Sequence, residues 1–372
     1  MAELNETPSG NRTHIAFFGL RNAGKSTLVN ALTGQEIAIV SDVAGTTTDP
    51  VSKAMEILPL GPCLITDTAG LDDEGPLGEE RVRRSLEVLE KTDVAVWVAS
   101  DGDAGSAEEM RFDAACRARN VPVLKYRRGD SVEGLKAKIA GVKLAEAPRP
   151  LVADLVAPGD VVACVCPIDE SAPKGRLILP QQQTIRDVLE AGASALICRD
   201  AELASTLAAL PMPPRMVVTD SQAFGKVAKI VPADVPLTSF SILFSRYKGD
   251  LATQVAGARA IDSLTDASHV LVCEGCTHHR QCEDIGTVKM PNWVRKHTGT
   301  NPTFDFTSGG DFPLDLAPYD LVIHCGGCML GARAMRGRID RAADQGVPIT
   351  NYGVAIAHMH GILPRVIAPF GL

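Results

Sequence analysis

The sequence predicts an α/β protein built from parallel sheets in three successive domains. Apolar segments alternate with helical patterns along most of the chain, which is typical of a parallel sheet with crossover helices. Closely spaced prolines at residues 145–150 interrupt this alternation and indicate a linker, after which the alternation resumes. At 372 residues, the chain also exceeds what one hydrophobic core usually serves. We therefore predict domains at residues 1–147, 148–260 and 261–372.

The individual elements follow from the same alternation. The first domain is predicted to contain strand His14–Phe18, helix Ser26–Leu32, and strands Cys63–Ile65, Ala95–Ala99 and Val121–Leu124. The middle domain is predicted to contain strands Val161–Cys166, Ala195–Cys198 and Arg215–Val218, and helices Thr184–Glu190 and Glu202–Leu210. The third is predicted to contain strands His269–Cys273, Asp320–His324 and Val347–Thr350, and helix Ala332–Asp344. The sequence shows no internal repeat.

Composition excludes some classes of partner and location. The formal net charge is −8, so no basic field attracts nucleic acid or an anionic membrane, and neither is an expected partner. No apolar run reaches the roughly 20 residues that span a bilayer, and the polar start lacks the order of a signal peptide. We expect a cytoplasmic protein, in which the ten cysteines are reduced and available as metal ligands.

The segment Gly19–Ser26 has the pattern of a phosphate-binding P-loop. It follows an apolar strand and opens a helix, where backbone N–H groups and the helix dipole hold phosphate oxygens. Lys25 is expected to reach the β- and γ-phosphates, and the Ser26 hydroxyl to bind Mg²⁺, with Thr27 as the first residue of the helix proper. The predicted nucleotide-binding residues are Gly19, Asn22, Ala23, Gly24, Lys25, Ser26, Thr27, Asp67 and Gly70.

A second motif narrows the class to switch-type GTPases. Asp67-Thr-Ala-Gly70 follows a strand and supplies a carboxylate on the metal side and a glycine N–H for the γ-phosphate. Between the two motifs, a threonine-rich segment offers a switch residue, and we select Thr47. Ser26, Thr47 and Asp67 are thus the predicted Mg²⁺ ligands. The first domain is therefore predicted to be a P-loop GTPase domain with a parallel sheet, followed by two further α/β domains.

Two features of the sequence differ from the pattern that is typical of switch-type GTPases. Residue 71 is Leu, where Ras-like proteins have a glutamine that orients the attacking water. After strand Val121–Leu124, Lys125–Asp130 stands in place of an Asn-Lys-x-Asp motif that reads guanine. Asp130 is a weak candidate for the missing carboxylate, which leaves the choice between GTP and ATP open. A scaffold whose nucleotide site has decayed is the alternative, although the intact P-loop and Asp67 argue against it.

Cysteines and histidines near the C-terminus form a second candidate site. Cys276 and His278 follow one predicted strand, and His324-Cys325-Gly-Gly-Cys328 follows another, so both groups should lie at the carboxyl edge of a sheet. Three sulfur ligands without a clear fourth fit an iron–sulfur cluster, with His278 or His324 as a possible fourth ligand. Structural zinc and unmetallated thiols are the alternatives. His297 and His358 are expected to be surface or hydrogen-bonded core residues.

These motifs together resemble known families. The nucleotide motifs resemble Era/TrmE-like GTPases, which implies that Asn22 helps to hold K⁺ and that hydrolysis is slow and K⁺-stimulated. Gly45–Pro50, Pro167–Gln181, Cys276–His279 and His324–Cys328 resemble the HydF family of FeFe-hydrogenase maturation GTPases over essentially the whole chain. Only the guanine-reading loop departs from that pattern.

The HydF resemblance implies cofactors and partners beyond what the residues alone indicate. It implies a homodimer formed through the middle domain, with a 4Fe-4S cluster on Cys276, Cys325 and Cys328. It also implies a scaffold that binds GTP and Mg²⁺, receives a transient di-iron precursor made with radical-SAM maturases, and transfers it to the apo FeFe-hydrogenase. The competing hypothesis is an Era/TrmE-like GTPase acting on RNA or the ribosome with a structural zinc module.

Overall fold

The computed structural model of the chain describes residues 7–34, 51–72, 82, 84–85, 87–99, 105–144, 149–168, 177–275 and 284–372. These residues belong to two compact units, Met1–Ala147 and Pro148–Leu372. The boundary predicted at residues 260–261 falls inside the second unit. The predicted ligands Thr47, Cys276 and His278 lie outside the described residues.

The first unit contains a five-stranded sheet in the order β2-β3-β1-β4-β5. All neighbouring strands are parallel except β2, which runs antiparallel to β3 at one edge. The strands are β1 (Thr13–Phe18), β2 (Val51–Ile57), β3 (Gly61–Asp67), β4 (Val94–Ala99) and β5 (Val123–Arg127). Every residue of β4 is buried, which explains its continuous apolar sequence.

The helices that connect or cover the strands include α1 (Lys25–Thr33), α2 (Ala107–Ala118) and α3 (Val132–Ala140). Two of them begin at a serine whose hydroxyl accepts a backbone N–H, Ser106 from Glu109 and Ser131 from Gly134. Two apolar clusters form the core, one containing Leu28 and Ile139 and the other containing Trp97 and Phe112. The sheet is thus covered by apolar contacts on both faces.

The second unit contains two four-stranded sheets, each entirely parallel. The first has the order β7-β6-β8-β9, and the second has the order β11-β10-β12-β13. The strands of the first are β6 (Val161–Val165), β7 (Ser194–Cys198), β8 (Met216–Thr219) and β9 (Leu237–Ser239). Those of the second are β10 (His269–Glu274), β11 (Thr303–Ser308), β12 (Leu321–His324) and β13 (Ile349–Asn351).

Helices connect these strands throughout the second unit. Those before β10 are α4 (Leu179–Glu190), α5 (Leu203–Ala208), α6 (Phe224–Ile230), α7 (Phe240–Lys248) and α8 (Leu251–Ala258). Those after β10 are α9 (Met290–Thr298), α10 (Ala332–Asp344), α11 (Tyr352–Met359) and α12 (Leu363–Ile367). Two shorter helical segments matter below, the 3-10 helix Arg259–Ser263 and the π-helix Ile285–Lys289.

The two sheets of this unit follow the same plan. In chain order, each has its first strand between its second and third, and each last strand passes directly into a helix, β9 into α7 and β13 into α11. The caps correspond as well, because Ser239 accepts a hydrogen bond from Ile242 N–H and Asn351 accepts one from Gly353 N–H. A single apolar cluster contains residues of both sheets, such as Val217 and Val272. The sheets therefore repeat a topology without repeating a sequence.

The predicted α/β fold with parallel sheets is confirmed, and the helix predicted at Ala332–Asp344 has those bounds in the structure. Strands β2, β9 and β11 were not predicted. Strand β2 is largely exposed and β9 has three residues, so neither contains the long run of apolar residues that predicts a buried strand. Strand β11 alternates, with Phe304 and Phe306 on one face, and this pattern was available in the sequence.

The packing of α8 on β13 gives a stability prediction. A Cβ atom at Gly257 would lie 2.1 Å from the carbonyl oxygen of Ile349, an atom held in the sheet. We expect Gly257→Ala to lower the free energy of unfolding of the second unit by about 1–3 kcal/mol through overpacking. Differential scanning calorimetry measures this change.

Gly337 in α10 is the matched control, because no atom lies within 4 Å of a Cβ built there. Gly337→Ala should leave stability unchanged or raise it by up to about 1 kcal/mol through helix propensity. Equal transitions for the two variants would contradict the packing of α8 on β13.

Candidate functional site

The P-loop connects β1 to α1 through three unusual backbone conformations. Gly19, Asn22 and Gly24 have φ values of 154°, 60° and 90°. A Cβ atom at Gly19 would lie 2.3 Å from the carbonyl oxygen of Val98, so the loop requires glycine there. Helix α1 begins at Lys25 rather than at Thr27, because Gly24 turns the chain directly into the helix. The prediction of Thr27 as the first helical residue was therefore wrong by two positions.

Lys25, Ser26 and Asp67 meet where β1 and β3 end. Strands β1 and β3 are neighbours, and Phe17 pairs with Asp67 in their register. The Ser26 hydroxyl donates to Asp67 Oδ2 at 2.6 Å. The Lys25 ammonium lies within the loop, where it donates to the carbonyl oxygens of Gly19 at 3.2 Å and Leu20 at 2.7 Å. The sequence-predicted cation, hydroxyl and carboxylate are thus brought together.

The Asp67 carboxylate is suited to a cation. It is fully buried, and burial raises its pKa, while the Ser26 hydrogen bond and the Lys25 charge oppose that rise. Its Oδ1 atom is buried without a hydrogen-bond partner among the described residues. A Mg²⁺ ion, directly or through a bound water, would supply the positive partner that this oxygen lacks.

The loop after β3 packs closely on the P-loop. Leu71 N–H donates to the carbonyl oxygen of Gly19 at 3.2 Å, and Arg21 N–H donates to a carboxylate oxygen of Asp72. A Cβ atom at Gly70 would lie 2.8 Å from the Arg21 nitrogen, so only glycine permits this approach. The structure therefore brings the two nucleotide motifs into direct contact.

The region expected to read guanine has another arrangement. Strand β5 extends to Arg127, and α3 begins at Val132 with Ser131 as its cap. The carboxylate of Asp130 accepts the Arg127 N–H at 2.9 Å, and this residue is exposed. Lys125 forms ion pairs with Glu109 and Asp113. Asp130 thus closes a turn, and in the described part of this segment no buried carboxylate points toward a base.

Cys325 and Cys328 lie at the carboxyl edge of the second sheet of the second unit. The crossover after β10 leads to β11 on one side, and that after β12 leads to β13 on the other. Loops that diverge in this way leave a crevice between them, where ligands bind in open α/β sheets. Cys325 Sγ accepts backbone N–H groups of Gly275 at 3.1 Å and Gly327 at 3.3 Å. These two donors would favour a negative charge on this sulfur.

Lys248 is a buried cation beside this loop that the sequence analysis missed. Its side chain is 1% exposed, and its ammonium donates to the carbonyl oxygens of Cys328 at 2.9 Å and Leu330 at 2.8 Å. Burial lowers the pKa of Lys248 to about 8, and the sulfurs of Cys328 and Cys325 oppose that shift. Lys248 and Cys328 are 80 residues apart in the sequence. No local sequence pattern could therefore predict this contact.

His324 uses both ring nitrogens within the protein. Its Nδ1–H donates to the carbonyl oxygen of Cys325 at 2.8 Å, and its Nε2 accepts from Arg338 at 2.7 Å. Burial, assisted by the Arg338 charge, lowers the pKa of His324 to about 3, so the imidazole is neutral. His324 as a fourth cluster ligand stays a prediction, and such a role would require loss of one of these two bonds.

Two further buried polar side chains lie near the cysteine loop. Tyr352 begins α11, and its hydroxyl has no hydrogen-bond partner among the described residues. Burial raises its pKa well above the usual value, with Cys325 and Glu274 adding to the rise. A Cβ atom at Gly286 would approach both the Tyr352 hydroxyl and a Glu274 oxygen. A buried hydroxyl without a described partner fits a site that holds a polar group.

Other described cysteines have the environment of core residues. Burial raises the pKa of Cys63 and Cys273 to about 11 and that of Cys164 and Cys166 to about 12. These thiols are thus protonated and packed among apolar side chains. Cys276 lies outside the described residues, so the structure shows two of the three predicted sulfur ligands.

The two sites define a P-loop GTPase domain fused to further α/β domains. Residues 14–125 match the family model of the 50S ribosome-binding GTPase, a match that ends before the altered guanine loop. Residues 151–249 match the hydrogen maturase F dimerization domain, and residues 252–369 match the hydrogen maturase F tetramerization domain. Together these two models span more than half of the chain, which belongs to the hydrogen maturase F (HydF) family.

The curated relatives match about a quarter of this chain. The chain is 42% identical over 113 residues to the tRNA modification GTPase MnmE of Methylobacterium sp. (strain 4-46), covering 28% of this chain and 26% of that protein. It is 46% identical over 99 residues to GTPase Der of Wolinella succinogenes, covering 26% of this chain and 20% of Der. The chain thus spans about a quarter or less of these relatives. Among the described residues, no helix is long and apolar enough to cross a membrane.

The altered loop after β5 predicts weak base discrimination. We expect GTP to bind less than about a hundredfold more tightly than ATP, whereas a site that hydrogen-bonds a base edge discriminates by roughly 10⁴-fold. Competition against a fluorescent nucleotide, with Mg²⁺ present, measures this ratio.

Asp130→Asn is the informative variant, because it keeps an oxygen for the Arg127 N–H and removes the charge. The GTP-to-ATP ratio should be unchanged in this variant. A ratio near 10⁴ that collapses on this substitution would instead assign guanine reading to Asp130.

Proposed function

We propose that this protein is a nucleotide-controlled scaffold and carrier for assembly of the FeFe-hydrogenase metal site. In this proposal, Cys276, Cys325 and Cys328 hold a 4Fe-4S cluster. The protein receives a di-iron precursor from radical-SAM maturases and transfers it to the apo-hydrogenase. The observation that carries the proposal is the Cys325–Cys328 loop at the switch point of a sheet within a HydF domain.

Backbone geometry supports metal ligation by this loop. Gly327 has φ 61°, a conformation that favours glycine, and this turn directs its own N–H toward Cys325 Sγ. Cys325 and Cys328 are only partly exposed, so a bound metal group would be shielded on one side by protein. When bound through three thiolates, a 4Fe-4S cluster leaves one iron open to a further ligand, which suits the docking of an incoming metal fragment.

The charges around the loop support an anionic group. Lys248 and Arg338 are buried at 1% and 5% exposure, and each donates to a group within or beside the loop. Thiolate-ligated iron–sulfur sites carry negative charge, which these two cations would offset. Lys248 also ties Cys328 to Leu330 through their carbonyl oxygens, which fixes the loop that presents the ligands.

The nucleotide site is proposed to act as a switch with slow hydrolysis. Lys25, Ser26 and Asp67 would hold the phosphates and Mg²⁺, and Thr47 would close on the metal from the segment Val40–Pro50. Asn22 would help to hold K⁺ beside the phosphates, and stronger hydrolysis in K⁺ than in Na⁺ is its signature. Self-association through the segments that match the dimerization and tetramerization domains completes the proposal.

The metal content of the protein tests the central claim. Anaerobically purified protein should contain iron and acid-labile sulfide near four of each per chain, with visible and EPR spectra of an iron–sulfur cluster. Cys325→Ala should lose most of both, because it removes a thiolate held by two backbone N–H groups.

Cys198→Ala is the matched control, because Cys198 is also partly exposed but lies in β7. It should retain the cluster. Stoichiometric zinc without sulfide in the wild-type protein, with that zinc lost in Cys325→Ala, would remove the carrier function and favour a structural zinc module beside an RNA- or ribosome-directed GTPase.

A Lys25→Ala variant tests the switch. It should lose nucleotide binding, and activation of apo-hydrogenase by the precursor-loaded protein should become slower and independent of added GTP. Lys125→Ala is the control, since that ammonium pairs with Glu109 and Asp113 rather than entering the P-loop. Equally fast activation by Lys25→Ala and wild-type protein would show that nucleotide binding has no part in transfer.

A further inference from the structure

A second group of metal-ligating side chains lies outside both sites described above. Asp262, His297 and His358 come from the 3-10 helix Arg259–Ser263, the last turn of α9 and the last turn of α11. One ligand atom from each lies within 4.8 Å of the other two. None of these residues is among the cysteine-site or nucleotide-site residues, and each is distant from the others in sequence.

The two imidazoles converge on one carboxylate. His297 Nε2 lies 2.8 Å from Asp262 Oδ1, and His358 Nε2 lies 3.0 Å from both carboxylate oxygens. The ring centroids are 5.7 Å apart with an interplanar angle of 55°, so the rings are tilted rather than stacked. Donor atoms about 3.3 Å apart surround a tetrahedral ion with bonds of about 2.0 Å. The distances from the two imidazoles to Asp262 are slightly shorter than this spacing, and the two Nε2 atoms lie within 4.8 Å of each other.

The electrostatic environment also favours a cation. Both histidines lie at helix C-termini, where the backbone carbonyls carry the negative end of the helix dipole. Hydrogen bonds from His297 and His358 lower the pKa of Asp262, so its carboxylate is ionised at neutral pH.

The group is accessible from solvent. The side chains of Asp262, His297 and His358 are 55%, 28% and 17% exposed. An ion can therefore enter without unfolding, and water can occupy a fourth position. Partial burial of the two imidazoles also limits their motion, so little side-chain entropy would be lost on binding.

We propose that Asp262, His297 and His358 form a binding site for a divalent transition metal ion of the Zn²⁺ class. Each imidazole uses Nε2 as a ligand, so the proton that Nε2 donates to Asp262 in the metal-free state moves to Nδ1 or to solvent. The ion joins three separate segments of the chain, and its ligands are nitrogen and oxygen rather than sulfur. The site is independent of the proposed function.

Cobalt is the probe that separates this site from the cysteines. The full chain, purified anaerobically, is titrated with Co²⁺ under anaerobic conditions. One equivalent should bind with weak visible d–d absorption and without added thiolate-to-cobalt charge-transfer absorption, and Zn²⁺ should displace it while Mg²⁺ should not. Saturating Zn²⁺ should also raise the melting temperature of the second unit, because it binds the folded state.

Variants of the three ligands decide the assignment. His358→Asn should weaken Co²⁺ binding at least about tenfold and abolish the Zn²⁺-dependent rise in melting temperature. His360→Asn, two residues away and outside the group, should behave like the wild-type protein. Asp262→Asn is a second variant for the case that a histidine variant fails to fold. It keeps an oxygen that faces both imidazoles and removes only the negative charge.

Two results would overturn the proposal. The first is the absence of stoichiometric Co²⁺ or Zn²⁺ binding to the wild-type chain, which would identify the group as a hydrogen-bonded triad. The second is binding that persists in both His358→Asn and Asp262→Asn, or that carries thiolate charge-transfer absorption, which would place the metal elsewhere.

Discussion

Adjacent parallel strands in this protein send their crossovers in opposite directions after β1 and β3, and again after β10 and β12. Right-handed crossovers that run in opposite directions lie on opposite faces of the sheet, so a crevice opens between the two loops at the carboxyl edge. In the first unit this crevice holds the P-loop lysine and Asp67, and in the second it holds Cys325 and the buried Lys248. The strand order alone therefore determines where the two candidate sites lie.

Buried charges give each crevice its preference for ligands. Burial of an ion is unfavourable unless an opposite charge or hydrogen bonds replace water. Asp67 retains one oxygen without a partner among the described residues, and a cation there would be stabilised. Lys248 and Arg338 donate to neutral groups, so an anionic ligand set on the neighbouring loop would be stabilised instead. The two crevices therefore favour groups of opposite sign.

The sequence predicted those parts of the molecule whose signals are local. The P-loop, the Asp67 motif and the Cys325–Cys328 loop each lie within a few residues between a strand and a helix, so spacing alone identified them. Lys248, Tyr352 and the Asp262 group depend on contacts between distant segments, such as the 96 residues that separate Asp262 from His358. A lone histidine in a helix is more often structural than a ligand, so no pattern in the sequence could have joined these three residues.

The apolar cluster shared by the two sheets of the second unit has a consequence for the evolution of the chain. Val217 and Leu237 pack in the same core as Val270 and Ile323, so recombination between the two sheets would leave each half with an incomplete interior. The first unit has its own core and can be exchanged whole. The matched segments make up 26% of the MnmE relative and 20% of the GTPase Der relative. The first unit closes its own apolar core, whereas the two later sheets depend on each other for theirs.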